Sequence, residues 1–178
     1  MCDPDQRADG VTVFSKFHIR DAKAITPQDK GWFHRLLFTV STPSGDVQIL
    51  NVHLRPLINY HSKIIGYFTV ESIHVREVQA LSTFLDPNLP RLIVGDFNEG
   101  NDGKATNWLV SDRSFTDVLP EFDFHSPTFH GPVAGIPITA RLDHIMYSPQ
   151  LRCFNARVIK TGESDHYPVV AELGRPRE

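Results

Sequence analysis

Three short stretches set polar, proton-transferring side chains beside apolar strand patterns: Asn51-Val52-His53-Leu54, Gly95-Asp96-Phe97-Asn98 and Ser164-Asp165-His166-Tyr167-Pro168. A carboxylate at Asp96 can orient or deprotonate a water. Asn98, two residues on, shares its direction and can hold that water or a phosphate oxygen, while Phe97 packs elsewhere. An Asx turn capping the strand would use the same residues equally well. In Asp165-His166 the two side chains diverge, so one can face a metal or hydrogen-bond network and the other a substrate; a polar turn before a strand explains the pair as well. Asp143 sits inside the apolar run Leu142–Tyr147, where an ionised carboxylate is costly unless paired. An imidazole is a natural partner, and His166 is the one expected, with His144 pointing to the opposite face. An ion pair with Arg141 or Arg152 at a sheet edge fits the sequence as well. The histidines at 18, 34, 61, 74, 125, 130 and 144 show no ligand-like spacing and read as surface or packed residues.

These groups need strands and helices to hold them. Val11–Ile19 and Trp32–Val40 have strand character. Thr42-Pro43-Ser44-Gly45-Asp46 marks a hairpin into a strand over Val47–Leu54 that carries Val47, Ile49, Asn51 and His53 on one face. His53 falls at its end. The apolar positions Val70, Ile73, Val78, Leu81 and Leu85 predict a helix over 69–85, stopped by Asp86-Pro87-Asn88. Arg91–Gly95 reads as a strand buried on both faces that delivers Asp96 at its end. A Gly-rich loop at 100–103 leads into a short helix around 105–110. Ser126–Pro137, rich in Pro, Gly and Thr, reads as a loop in which Thr128-Phe129 either touches substrate or pins the segment. Strands follow at 142–147, 153–159 and 169–173. The segment 55–71, with Tyr60, Tyr67 and Phe68, reads as a loop over the site that shapes specificity, or as packing against the next helix. Strands interleaved with two helices and several hairpins predict a mixed α/β layered fold.

The 178 residues suit one domain, 1–178, with 40% hydrophobic and 22% charged residues. A net charge of −3 offers no bulk attraction to a polyanion. Cys2 and Cys153 lack metal spacing and read as free thiols. No run approaches the ~20 apolar residues of a membrane span, and the opening residues are too polar for a signal peptide, which taken literally implies a cytoplasmic protein.

Taken in order, Asn-Val-His-Leu, Gly-Asp-Phe-Asn, Arg-Leu-Asp-His and Ser-Asp-His-Tyr-Pro resemble the endonuclease/exonuclease/phosphatase superfamily, the deoxyribonuclease I-like proteins, from about Gly10 to Leu173. The resemblance implies a four-layer α/β sandwich with two mixed sheets. It also implies hydrolysis of phosphoester bonds by in-line attack of an activated water, assisted by Mg²⁺, or Mn²⁺ in its place. By position, Asp96 would activate the water with Asn98 supporting it, His53 would contact the phosphate, and His166 would pair with Asp143 beside the scissile group. Asp165, with Asp96, would bind the metal. The partner implied is a phosphoester substrate, whether nucleic acid, phospholipid or small phosphodiester, with no obligate protein partner.

The resemblance also has gaps. The family's opening strand with an Asn, and the next strand with a metal-binding Glu, have no counterpart, since only ten residues precede Val11. This predicts an N-terminally incomplete fold, a truncated product or fragment whose lost start could have carried a signal peptide. Asp3, Asp5, Asp9 and Glu99 are the candidate replacements for the Glu. A non-catalytic relic that keeps only its phosphate contacts is the alternative. Calcineurin-like metallophosphoesterases are excluded by the missing Asp-x-His and Gly-Asn-His motifs. Val94 and Asp143-His144 weigh against the inositol polyphosphate 5-phosphatases, which carry a Trp before Gly-Asp-x-Asn and an Asp-Arg pair in the later strand.

Overall fold

The computed structural model describes residues 10–26, 35–56, 63–133 and 135–176, with side chains of the first helix described from residue 71 onward. Its main sheet has six strands: β1 His18–Ile25, β2 Arg35–Thr42, β3 Gly45–His53, β4 Arg91–Asp96, β5 Thr116–Asp117 and β8 Asp143–Tyr147, in the order β1-β2-β3-β4-β8-β5. β3 and β4 run parallel and the other neighbours antiparallel, so the sheet is mixed. Helix α1 (Lys63–Ser82) makes the β3–β4 crossover, as a parallel pair requires, and α2 (Lys104–Arg113) and α3 (Leu119–Phe122) follow β4 and β5. Two antiparallel ribbons complete the described fold: β6 Phe129–Val133 with β7 Ile136–Ala140, and β9 Arg152–Val158 with β10 Val169–Gly174.

Two cores form because β3, β4 and β8 alternate their side chains between the sheet's faces. Leu50, Val52, Ile93 and Met146 turn to the helices, where they meet Val78, Leu81, Leu85 and Leu109. On the opposite face Val47, Leu92, Ile145 and Tyr147 meet Val118, Leu119 and the ribbon residues Cys153, Ala156 and Val158. The mixed α/β character expected from the sequence is present. The second sheet is smaller than the resemblance implies, two antiparallel strands among the described residues.

Several boundaries differ from the expectation. The first strand occupies 18–25, not 11–19, because it is an edge strand of mostly exposed and charged residues, Arg20, Asp21 and Lys23 among them. Such an edge shows no apolar pattern. Helix α1 starts at Lys63, so its first turns replace part of the loop expected over 55–71; residues 57–62, Tyr60 among them, lie outside the described residues, as do Trp32–His34. The supposed loop over 126–137 is the ascending arm of the β6–β7 hairpin and its turn. Pro132 and Pro137 face one another in it, beyond the Phe129–His166 bridge on its outer edge, a placement tolerated where no third strand pairs with the ribbon. The hairpin at Thr42–Gly45 forms as expected, with Gly45 at φ 108° and the Thr42 hydroxyl donating to the Gly45 carbonyl at 2.7 Å. Cys153 is a buried free thiol; Cys2 lies outside the described residues.

Candidate active site

Register alone places three of the expected residues side by side. His53 pairs with Asp96 across β3 and β4, and Asp96 pairs with Asp143 across β4 and β8. Paired residues on neighbouring strands point to the same face, so an imidazole and two carboxylates form a row at one edge of the sheet. The row lies on the face covered by β9 and β10, opposite Leu50 and Val52. The connection between β9 and β10 lowers His166 onto the row from the other side. Its Nδ1 lies 2.8 Å from Asp143 Oδ2, and neither Arg141 nor Arg152 takes that place. Asp96 Oδ2 has His53 Nε2 at 3.5 Å and His166 Nε2 at 4.0 Å.

The loop after β4 is built to hold Asp96. Gly95 has φ 130°, and a Cβ there would fall 2.0 Å from the Val52 carbonyl oxygen, so only glycine fits beside β3. Asn98 adopts φ 50°. Its backbone N–H donates to Asp96 Oδ1 at 2.8 Å, and its amide donates to Asp96 Oδ2 at 3.2 Å and to the Leu54 carbonyl at 2.9 Å. The turn geometry and the support of Asp96 therefore coexist. Burial, and next the charge of Asp143, push the Asp96 carboxyl up to about 6. The Asp143 hydrogen bond raises the His166 imidazole above its ordinary value against the opposing effect of burial, with Asp143 and Asp96 charges assisting.

Thr128 ties the two halves together. It is fully buried, its hydroxyl accepts the N–H groups of Leu142 and Asp143 at 2.9 and 3.0 Å, and its carbonyl accepts the Tyr167 N–H at 2.6 Å. One residue thus fixes both the Asp143 strand and the His166 loop. Phe129 packs edge-on against the His166 ring at 5.1 Å. The sequence singles out Thr128-Phe129, but only as a substrate contact or a loop pin.

Two histidines that sequence spacing left unassigned are buried struts. His74 on α1 bridges Glu99 Oε2 at 3.1 Å and the Arg55 carbonyl at 2.6 Å. Burial works against its charge, yet the Glu99 carboxylate and the Arg55 carbonyl leave its pKa raised. His144 does point away from Asp143, toward Asp117 Oδ2 at 2.7 Å and the Glu99 carbonyl at 2.9 Å. Glu99 is therefore engaged: its other oxygen accepts the Thr106 N–H at 2.8 Å, and it stands apart from the carboxylate row. Asp3, Asp5 and Asp9 lie outside the described residues.

Asp96, Asp143 and His166 each offer a ligand atom within 4.8 Å of the others, the one such group among the described residues. Asp165 is exposed and outside this group; its backbone carbonyl accepts the His130 N–H at 2.8 Å.

The mixed α/β fold gathers two carboxylates and two imidazoles on one sheet edge, at the strand ends. The chain belongs to the Endonuclease/Exonuclease/phosphatase family, whose model matches residues 2–166. No curated protein matches the sequence. Among solved structures it is similar to an endonuclease/exonuclease/phosphatase from Beutenbergia cavernae, with 20% identity, TM-score 0.61, and coverage of 80% of this chain and 39% of that one. It is also similar to a mannosyl-6-phosphatase from Bacteroides thetaiotaomicron (20% identity, TM-score 0.57, 89% and 67% covered). The third is the human Nocturnin catalytic domain with bound sulfate anion (15% identity, TM-score 0.58, 90% and 60% covered). The chain thus spans about two fifths to two thirds of the length of these proteins.

Proposed function

We propose that the chain hydrolyses phosphoester bonds by in-line attack of a water activated at Asp96. The observation that carries this reading is the convergence of His53 and His166 on one oxygen of Asp96, at 3.5 and 4.0 Å, with Asp143 fixing the His166 ring. A phosphate seated over Asp96 would meet both imidazoles, which hold its non-bridging oxygens as negative charge grows there. Asp96, in its ionised form, takes a proton from the water while Asn98 holds the carboxylate in place. The water oxygen bonds to phosphorus, the ester P–O bond on the opposite side breaks, and the departing oxygen takes a proton from solvent. The sulfate held by the Nocturnin domain and the substrate named for the Bacteroides phosphatase are in keeping with an oxyanion ligand.

A divalent cation fits this donor set. The charge of Asp143 opposes the ionisation of Asp96, and hard oxygen donors suit Mg²⁺, with Mn²⁺ as a substitute. Asp96 and Asp143 would hold the ion beside His166, and when bound it supplies positive charge against the phosphate. Asp165 would join this set only by a rearrangement of its exposed loop.

The test is hydrolysis of bis(p-nitrophenyl) phosphate with Mg²⁺, with chelator, and by Asp96→Ala. Turnover that needs the metal and drops about 10²–10⁴-fold in the variant is expected. A folded, metal-loaded protein without turnover would favour a second reading, a phosphate-binding relic. The engagement of Glu99 by His74 and Thr106 supports that alternative, since it removes a candidate metal ligand.

A further inference from the structure

The longest stretch of the chain without an Asp, Glu, Lys or Arg runs from Phe124 to Ala140, in a sequence that is 22% charged. It contains the β6–β7 hairpin, whose tip reads Pro132-Val133-Ala134-Gly135-Ile136-Pro137-Ile138. Val133, Ile136 and Ile138 are 41%, 64% and 39% exposed, and a Cβ at Gly135 would meet nothing within 4 Å. A cluster of aliphatic side chains standing in water marks a surface that meets a partner.

The register shows what the tip presents. Val133 pairs with Ile136, and Ile138 stands two residues further along β7, so the three aliphatic side chains share one face. Pro132 and Pro137 pair with each other and hold the opposite face. Proline has no N–H, so theirs is a pair that exchanges no ladder hydrogen bonds. The bonded pairs on either side, Gly131 with Ile138 and Val133 with Ile136, turn their N–H groups inward. The positions whose donors would face outward are therefore the two prolines. One pair nearer the root, the outward N–H of His130 donates to the Asp165 carbonyl at 2.8 Å. The described strands of the tip are thus apolar on both faces and carry no outward N–H. A partner docked on one face would leave the other in water. Immersion in a nonpolar phase covers both, and the missing donors lower its cost.

Length links this tip to the reaction centre. The apolar section ends at the Gly131–Ile138 pair. Phe129, whose ring packs 5.1 Å from that of His166, lies two residues beyond, about 7 Å along the strand. The headgroup layer of a bilayer is about 5–8 Å thick on each side. A tip immersed as far as Ile138 therefore holds His166 at the level of the lipid phosphates. Charge selects the kind of surface. With no cation from Phe124 to Ala140 and a net charge of −3, nothing draws the chain to an anionic membrane.

We infer that the β6–β7 tip is a docking element that enters a zwitterionic lipid surface and sets the reaction centre over the phosphoester of a phospholipid. The docking stands on the ribbon alone; only the cleavage of that ester rests on the hydrolytic reading.

Flotation with phosphatidylcholine vesicles in chelator reads docking without turnover. The parent should float with the vesicles, and Ile136→Ser combined with Ile138→Ser should weaken partitioning at least about tenfold. Ile136→Trp, at an exposed position that leaves the fold intact, should still float, and its emission should shift to the blue relative to the parent when vesicles are added. A parent that stays in solution, flotation indifferent to the double substitution, or an unshifted emission from Ile136→Trp overturns the docking. So does self-association of the parent that the double substitution abolishes, since it would assign the tip to a second copy of the chain. In Mg²⁺ the double variant should lose its rate on the vesicles and keep it on bis(p-nitrophenyl) phosphate; equal rates of variant and parent on the vesicles would overturn the placement over a phospholipid. No turnover of either substrate by a parent that floats would strike the hydrolytic reading and leave the docking standing.

Discussion

At the scale of single residues, Asp96 shows what a buried carboxylate costs the fold. Its carboxyl is raised from 3.8 to about 6 by burial first and by Asp143 second. The fold therefore prefers the neutral acid. The stabilisation this gives is fully present below about pH 4 and is lost as pH rises through about 6, a change of about 3 kcal/mol in cation-free protein. Asp96→Asn removes the charge and keeps an oxygen to accept the Asn98 N–H. We expect it to be more stable than the parent by about 1–3 kcal/mol at pH 7.5 in chelator, with the advantage gone at pH 4. Urea unfolding at the two pH values checks this, and equal stabilities at pH 7.5 would refute the buried-charge account. In Mg²⁺ the charge of the ion would favour the ionised carboxylate, so the pH–rate profile of the parent should keep its activity below about pH 6, where cation-free Asp96 is protonated. Much at this scale was legible in the sequence, because strand alternation places His53 and Asp96 at strand ends and sets Asp143 and His144 on opposite faces. The 2.8 Å contact of His166 with Asp143 follows the expected pairing. Thr128 as a clamp was not legible, since its partners, Leu142, Asp143 and Tyr167, lie far along the chain and leave no local pattern.

At the scale of elements, α1 and α2 are coupled to the site through one buried carboxylate. Glu99 takes the N–H of Thr106 in the first turn of α2, where no side chain caps the helix from Gly103, and its other oxygen faces His74 of α1. Gly103 leaves the necessary room, since a Cβ there would come within 2.4 Å of the Glu99 carboxyl carbon. Removing the imidazole would leave a buried carboxylate without its counter-charge. His74→Leu should cost about 3–5 kcal/mol, and adding Glu99→Gln should restore part of the loss. A double-mutant cycle by chemical denaturation measures the coupling; additive effects would mean that the pair is not a unit. Sequence pattern missed this strut because a lone histidine at position 74 reads as an ordinary packed residue of a helix. The same limit applies to β6 and β7, where Pro132, Pro137 and two glycines over residues 126–137 would break a central strand yet suit a two-stranded ribbon. It applies to β1 too, whose charged edge has no apolar alternation to find. The strands with buried faces, β3, β4, β8, β9 and β10, were located within two residues because burial imposes the pattern that sequence reading detects.

At the scale of the molecule, the site exists only where two layers meet. His53, Asp96 and Asp143 belong to the six-stranded sheet, whereas His166 arrives on the connection of the β9–β10 ribbon, which is held to that sheet by the second core. The helix-side core supports the same sheet from its other face. Equal damage to the two cores should therefore have unequal consequences for chemistry. Val158 ends β9, pairs with Val169 across the ribbon and stands just before the loop that carries His166. Val78 is its counterpart on α1, buried against the opposite face of the sheet. Truncation of either to alanine deletes the same atoms and should cost about 1–3 kcal/mol. Only Val158→Ala loosens the ribbon that sets His166 over Asp96, and displacements of about 1 Å at a reacting centre can cost on the order of 10²-fold in rate. We expect Val158→Ala to lose at least about tenfold in kcat, measured well below its unfolding temperature, while Val78→Ala stays within about twofold of the parent at matched stability. Thermal unfolding and Mg²⁺-supported hydrolysis of bis(p-nitrophenyl) phosphate on the same samples decide it. Equal losses of activity would mean that the ribbon and the sheet respond as one rigid body, and that the packing of the second core does not tune the position of His166.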